Sequence, residues 1–218
     1  MELIDRAHIH HALGDAARLR MVDALSLSDR TFTELATAAG LAGNAVAHHL
    51  DVLEAAGLIA RHSSEGDRRR RYISLRHDRL VGPHPAANLR PRIVLFVCTH
   101  NSARSQFAAA LWRARTSGTA DSAGTTPADR VHPAAISVAA EHGLDLASAA
   151  PKGLDAVEVS PDLVVSDCDR AREAGVPFDV PALHWSIPDP VAAGTTAAFH
   201  AAFADLSNRV DRLAASAH

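Results

Sequence analysis

Residues 93 to 105 leave little freedom in how this part of the chain folds. Ile93-Val94-Leu95-Phe96-Val97 is a continuous apolar run, which suits a strand buried on both faces of a parallel sheet. It empties into Cys98-Thr99-His100-Asn101-Ser102-Ala103-Arg104-Ser105, and helical spacing follows from Arg104 to Arg115. A cysteine, five residues, an arginine and a serine, set between strand and helix, make a loop that can curl its N–H groups onto one tetrahedral oxyanion. Arg104 offers a planar fork for two oxygens of that anion. Cys98 lies beneath it at a helix N-terminus, where the dipole and the guanidinium favour the thiolate. Ser105 is placed to donate to the sulfur, and Asn101 to hold strained backbone. Thr99, His100, Ser102 and Ala103 complete the anion-binding loop.

A thiolate that attacks phosphorus or arsenic needs an acid for the leaving group. Asp189, in Ile187-Pro188-Asp189-Pro190, is the candidate, because prolines on both sides fix the angle of its carboxylate. The competing reading is a plain turn residue. Residues 162–166 form a second apolar strand, and an amphipathic helix runs from Gly194 to about Ala215. Strands alternating with helices predict an α/β three-layer sandwich with a parallel sheet. The second cysteine, Cys168, is distant in sequence and belongs to no Cys-x-x-Cys pair. A disulfide staple is not expected of it, and one reading is a buried, inert strand-end residue.

The first 80 residues have a different character. Leu3, Ile4 and Leu13 fit one helix, broken at Gly14-Asp15, and Asp15 is a natural N-cap for a second helix carrying Leu19, Val22 and Leu25. Thr33 is read as the cap of a short helix that Gly40 ends, and Asn44 as the start of another that stops at Gly57. The period then changes: residues 58–62 and 70–75 read as strands around the turn Ser63-Ser64-Glu65-Gly66-Asp67. Helices followed by a basic hairpin predict a mainly α winged helix-turn-helix, with one helix in the major groove and the wing along the backbone. The overall net charge of -3 gives no sign of nucleic-acid binding, so that case rests on four consecutive arginines, Arg68, Arg69, Arg70 and Arg71. A protein-interaction module with a solvated arginine face is the alternative. The stretch 81–88 has two prolines and no periodicity, which sets the expected boundaries: a winged helix at 1–80, a linker at 81–91 and an α/β domain at 92–218.

Phe32-Thr33-Glu34-Leu35-Ala36 and His48-His49-Leu50-Asp51-Val52-Leu53-Glu54-Ala55-Ala56-Gly57-Leu58-Ile59 resemble the ArsR family of bacterial repressors, over roughly residues 5–76. The resemblance implies a homodimer on a double-stranded DNA operator. Asn44, Ala45, His48 and His49 would face the groove, and Arg61, Arg68, Arg69, Arg70 and Arg71 would meet phosphates. The cysteines through which many relatives sense metals are absent from residues 1–97. His8, His10 and His11 read as surface histidines, and no metal site is expected.

The stretch VLFVCTHNSARSQFAAALW, taken with HWSIPDP, is similar to the low-molecular-weight phosphatase fold and specifically to its arsenate reductase branch, over about residues 92–215. That resemblance makes Cys98 the nucleophile, Arg104 the oxyanion binder and Asp189 the general acid, with arsenate or a phosphate-like oxyanion as ligand. Tyrosine phosphatases of this fold usually follow the Asp-Pro with an aromatic; Val191 stands here, which favours a small oxyanion over a phosphotyrosine peptide. Thioredoxin-coupled reductases pass oxidation along two further cysteines. Cys168 matches the first position, and residues 172–177 offer no second. No tightly bound cofactor is therefore expected; the reductant would be an external thiol (mycothiol, glutathione or thioredoxin), or Cys168 would pair directly with Cys98.

Three functions compete. The chain is an arsenic-responsive regulator that also reduces arsenate, a catalytically idle oxyanion- or arsenite-sensing repressor, or a tyrosine phosphatase with an accessory winged helix. No apolar run reaches the ~18–20 residues of a membrane span, and Met-Glu-Leu-Ile-Asp-Arg does not read as a secretory signal. A cytoplasmic protein with no membrane partner is expected.

Overall fold

A computed structural model describes residues 2–80 and 89–216. Residues 81–88, most of the expected linker, lie outside the described residues. Two compact units result, one formed mainly by the residues before that stretch and the other mainly by those after it.

The N-terminal unit runs α1 (Leu3–Leu13), α2 (Ala16–Leu25), β1 (Arg30–Thr31), α3 (Phe32–Ala39), α4 (Gly43–Ala55), β2 (Ile59–Ser63) and β3 (Arg71–Leu75). Asp15 caps α2 as expected, its carboxylate accepting from Ala17 N at 2.9 Å and Arg18 N at 3.0 Å. The buried stripe of α2 passes through Met21, Val22 and Leu25, while Leu19 is exposed. Leu19 lies about 160° of arc from Met21, so an i, i+3, i+6 reading selects the wrong edge of the stripe. The cap of α3 is Thr31 and not Thr33. Thr31 Oγ1 accepts from Glu34 N, and Glu34 Oε2 accepts from Thr31 N at 2.7 Å, a reciprocal pair that needs its partners three positions apart. Gly40 ends α3 at φ 68°, in the left-handed region. The next helix, α4, begins at Gly43, one residue before Asn44, with Ala42 at its N-cap. The three strands pair antiparallel in the order β1-β3-β2. Two residues are too few to show a period, which is why β1 is silent in the sequence. Ile9, Met21, Leu35, Val46, Leu50, Leu53 and Leu58 close the core that holds α4 against the hairpin.

The C-terminal unit runs β4 (Ile93–Cys98), α5 (Arg104–Arg115), β5 (Thr119–Gly124), α6 (Pro133–Glu141), β6 (Leu163–Ser166), α7 (Asp169–Ala174), β7 (Ala182–His184), α8 (Pro190–Ala193) and α9 (Thr196–Ala215). Its four strands are parallel, in the order β5-β4-β6-β7, and helices flank the sheet. The chain leaves β4 for β5 on one side and returns to β6 on the other. The C-terminal end of β4 is thus the switch point where open α/β sheets bind ligands, and Cys98 is its last residue. On one side of the sheet Leu95, Val97, Ala123 and Val164 cluster with Ala171 of α7. Helix α5 is buried from Arg104 to Trp112 and meets α9 through Phe107 and Phe203, edge to face at 5.2 Å. Asp162 stands outside β6 because its carboxylate accepts from the N–H groups of Arg92 and Ile93, clamping the start of β4. Among the described residues, no helix is long and apolar enough to cross a membrane.

Candidate active site and nucleic-acid interface

The loop after β4 owes its shape to where its carbonyls go. The carbonyl oxygens of Cys98, Thr99, His100 and Ser102 accept from the backbone N–H groups of Thr125, Thr126, Ala128 and His132. Those donors come from a belt of residues between β5 and α6. Gln106 Nε2 donates to the Asn101 carbonyl at 3.1 Å, and Phe107 N to that of Ala103 at 2.9 Å. Six consecutive carbonyls are therefore held outward. Across a trans peptide the next N–H points the opposite way, so the amides of the loop turn inward onto one spot. No side chain caps α5, whose first-turn amides join them.

Asn101 is the hinge of this loop. It is fully buried, and its φ of 51° is the one positive value on a non-glycine residue among the described residues. Its Oδ1 accepts from Lys152 N at 2.9 Å and Gln106 Nε2 at 3.2 Å, which fixes the amide so that Nδ2 donates to Ser105 Oγ at 2.8 Å. Ser105 Oγ already accepts that bond, so its own hydrogen is free for Cys98 Sγ, 3.1 Å away. Asn101 N donates to the same sulfur at 3.2 Å. Both contacts donate to the sulfur.

Arg104 is 4% exposed and spans the site. One terminal nitrogen donates to the Ile187 carbonyl at 2.8 Å, and the other lies 3.3 Å from Asp189 Oδ2. Burial works against its charge, and the sulfurs of Cys168 and Cys98 with the Asp189 carboxylate outweigh it, raising the guanidinium above its ordinary value. Asp189 caps α8, its Oδ1 accepting from Val191 N. The expected triad of Cys98, Arg104 and Asp189 is thus assembled around one spot.

Cys168 is the N-cap of α7, and both cysteines are buried free thiols in the same apolar cluster. Its sulfur accepts from Ala171 N and sits 3.3 Å from Thr99 Oγ1. Burial pushes the thiol up to about 11, against the pull of Arg104. Its neighbours were not legible from the sequence. Asp167 is fully buried, and burial carries its carboxyl well above the usual range, with Arg104 and Arg209 opposing. Asp169 is held below its ordinary value despite burial, by hydrogen bonds from His184 and Ser186.

Gly124, the last residue of β5, was missed too. A Cβ there would lie 2.8 Å from the Thr99 carbonyl oxygen and 3.1 Å from Asn101 N, both backbone atoms that cannot swing aside. Gly124→Ala is expected to cost about 1–3 kcal/mol of stability by overpacking. Thermal unfolding checks it, and oxyanion affinity should fall with it because the displaced atoms belong to the loop.

In the N-terminal unit, Asn44 and His48 are exposed on the first half of α4 and Ala45 is half-buried. His49 turns inward, with Nδ1 3.7 Å from Asp15 Oδ1, and so is less available to a groove than expected. Arg61 is bound to Asp51 at 2.6 Å and close to Glu54 at 3.2 Å, so a phosphate would have to compete with two carboxylates. Arg68, Arg69, Arg70 and Arg71 are all exposed on the wing.

Residues 93–218 match the family described as low molecular weight phosphotyrosine protein phosphatase. Residues 15–61 match the bacterial regulatory protein, arsR family. No curated protein matches the chain. An arsenate reductase from Archaeoglobus fulgidus DSM 4304 is 35% identical, covering 56% of this chain and 98% of its own, with a TM-score of 0.50. An arsenate reductase solved in an oxidized state is 26% identical over 58% of this chain and 99% of its own, at the same TM-score of 0.50. The tyrosine phosphatase Wzb from Escherichia coli K30, solved with sulphate, shares the fold at 23% identity and a TM-score of 0.50, covering 57% of this chain and 97% of its own. With more than half its length matched, the chain belongs to the low molecular weight phosphotyrosine protein phosphatase family, and it carries an ArsR-family helix-turn-helix earlier in the same sequence.

Proposed function

We propose that the chain is an arsenic-responsive, DNA-binding regulator whose C-terminal domain reduces arsenate at Cys98 with electrons from an external thiol. The observation that carries the reading is the cradle itself. It combines a sulfur supported by Ser105 and Asn101 with a buried arginine fork that faces a carboxylate. The 35% identity to an arsenate reductase over nearly all of that protein supports arsenate as the ligand. Val191, exposed next to Asp189-Pro190, offers no aromatic wall to a phosphotyrosine ring.

In this scheme the Cys98 thiolate attacks arsenic and an arsenic–oxygen bond breaks. The leaving oxygen takes a proton through Asp189, whose carboxylate picks it up from water once the oxyanion has taken over the Arg104 nitrogen that faced it. A thiolate then attacks the Cys98 sulfur. The sulfur–arsenic electron pair stays on arsenic, which is reduced from V to III, and a disulfide forms. A second thiol restores Cys98. The chain holds two cysteines in all, so net turnover draws its two electrons from outside.

The test is turnover by the full chain, with arsenate and an aryl phosphate offered alongside glutathione, mycothiol or thioredoxin. Arsenate reduction is expected, lost in Cys98→Ser and reduced about 10²–10⁴-fold in Asp189→Asn. Oxyanion binding should survive in Cys98→Ser. Aryl phosphate hydrolysis without arsenate reduction would favour the phosphatase. Binding without turnover of either would favour the idle sensor.

The N-terminal unit reads a double-stranded operator as a homodimer in the cytoplasm, with α4 in the major groove and the wing arginines on phosphates. Leu3 and Ile4, 76% and 69% exposed on α1, support a dimer contact there. Replacing Arg68, Arg69, Arg70 and Arg71 by serine should flatten the plot of log K against log salt by about 0.9 for each phosphate no longer neutralised. Fluorescence anisotropy of a labelled operator across salt concentrations checks it. An unchanged slope would assign the wing to protein contacts.

A further inference from the structure

Beside the anion loop lies a cleft of about 770 Å³, lined among others by His100, Ser102, Asp129, Arg130, His132 and Val191. His100 and Ser102 belong to the loop itself, and Val191 follows Asp189-Pro190, so the cleft opens beside the Cys98 cradle. Its volume falls within the range that takes a drug-sized molecule, about 300–1,000 Å³. Its walls carry one guanidinium, one carboxylate, one hydroxyl and two imidazoles, set among the apolar surfaces of Ala128, Pro133 and Val191.

The two imidazoles are held in opposite states. His100 Nδ1 faces the carbonyl oxygen of Thr126 at 3.0 Å. A carbonyl only accepts, so this nitrogen carries the hydrogen, and Nε2 of the neutral ring is a base. His132 Nδ1 instead accepts from Ala134 N at 3.2 Å, so its Nε2 carries the hydrogen and is a donor. Stacking on Phe199, with centroids 4.7 Å apart, fixes the His132 ring. The other charged groups sharing the cleft with His100 are Asp129 and Arg130 on the belt. The cleft thus presents a base and a donor, each pinned by the backbone.

We propose that this cleft seats a hydrophilic low-molecular-weight thiol, and that His100 takes its proton. The assignment rests on the thiol-dependent reductase reading above and locates its co-substrate. The thiol hydrogen passes to His100 Nε2, and the thiolate pair forms the bond to the Cys98 sulfur. The sulfur–arsenic pair remains on arsenic, and the imidazolium returns its proton to water. His132 and Arg130 bind the polar body of the thiol. Cys168 is a poorer source of that thiolate, since it is 1% exposed and engaged at the start of α7.

Glutathione and mycothiol share this chemistry and differ in body, one carrying carboxylates and the other a sugar pair. The experiment titrates the full chain with the S-methyl derivative of each, which binds without reacting, and reads amide shifts by NMR. Saturable shifts at the cleft are expected from one of them, weakened about tenfold or more by His132→Ala. Arg130→Ala should weaken S-methylglutathione if the carboxylates are recognised and leave S-methylmycothiol bound if the sugars are.

Kinetics add a signature that a structural role would not give. His100→Gln should slow arsenate reduction about tenfold or more at pH 7 and much less above the thiol's own pKa of about 8.5, where no base is needed. Absence of binding by both derivatives, or an equal His100→Gln loss at every pH, overturns the proposal. Arsenate reduction without cleft binding would sink the cleft alone. Cleft binding without arsenate reduction would sink the reductase reading and leave the cleft standing.

Discussion

Arg104→Lys is expected to weaken oxyanion binding, and any turnover, by about 10²–10⁴-fold, or about 3–5 kcal/mol, although it keeps the charge. The loss follows from shape. The guanidinium reaches the Ile187 carbonyl with one nitrogen and the Asp189 carboxylate with the other, across a buried site. The same two nitrogens form the fork that an oxyanion would use. A lysine ammonium is a point charge on a flexible stem and is strongly hydrated, so it meets one partner at a time and suffers more from burial. Arg104→Met should be worse for folding, because it strands the carboxylate of a largely buried pair, a loss of about 3–5 kcal/mol. The measurement is the affinity for inorganic phosphate and arsenate in a Cys98→Ser background, which separates binding from chemistry. An Arg104→Lys chain that binds either anion as tightly as its parent would remove the fork from the site.

The sequence disclosed this site unevenly, for a physical reason. A buried parallel strand leading into Cys98 and a helix starting at Arg104 are local patterns, and both ends fell within a residue of their observed positions. The same holds for Asp189, whose prolines mark it within four residues. Gly124, the belt from Thr125 to His132, and Lys152 act on the loop from 20 to 50 residues away, through backbone hydrogen bonds that carry no side-chain signature. Strand β5 reads Thr-Ala-Asp-Ser-Ala-Gly without apolar alternation; it packs against α5, and at Gly124 a Cβ would meet the loop backbone. In the N-terminal unit, Thr31 lost to Thr33 as the cap of α3 because both are threonines before an apolar run. Only the spacing to Glu34 distinguishes them. His49 and Arg61 were assigned to DNA by their place in a motif, while their partners Asp15, Asp51 and Glu54 come from other turns of the chain.

Asn101→Ala should lower the stability of the C-terminal unit by about 3–5 kcal/mol, and with it the melting temperature by roughly 10 °C or more. Two costs combine. At φ 51° an alanine sits in the left-handed region, which disfavours a Cβ by about 1–2 kcal/mol where asparagine is tolerated. The amide also serves three partners in a fully buried position. Its loss leaves the Lys152 N–H and Ser105 Oγ short of a bond, at about 1–3 kcal/mol for each group left unsatisfied. Asn101→Gly separates the two, since glycine adopts the same φ without strain and lacks the same hydrogen bonds. The glycine variant should therefore recover about 1–2 kcal/mol of the alanine loss and no more. Its thiol should also react less selectively with iodoacetamide, because Ser105 is then free to turn its hydrogen away from Cys98. If Asn101→Gly instead melts with the parent chain, backbone conformation alone accounts for the asparagine. The hydrogen-bond hub around Cys98 would then be a consequence of the loop's shape and not its cause.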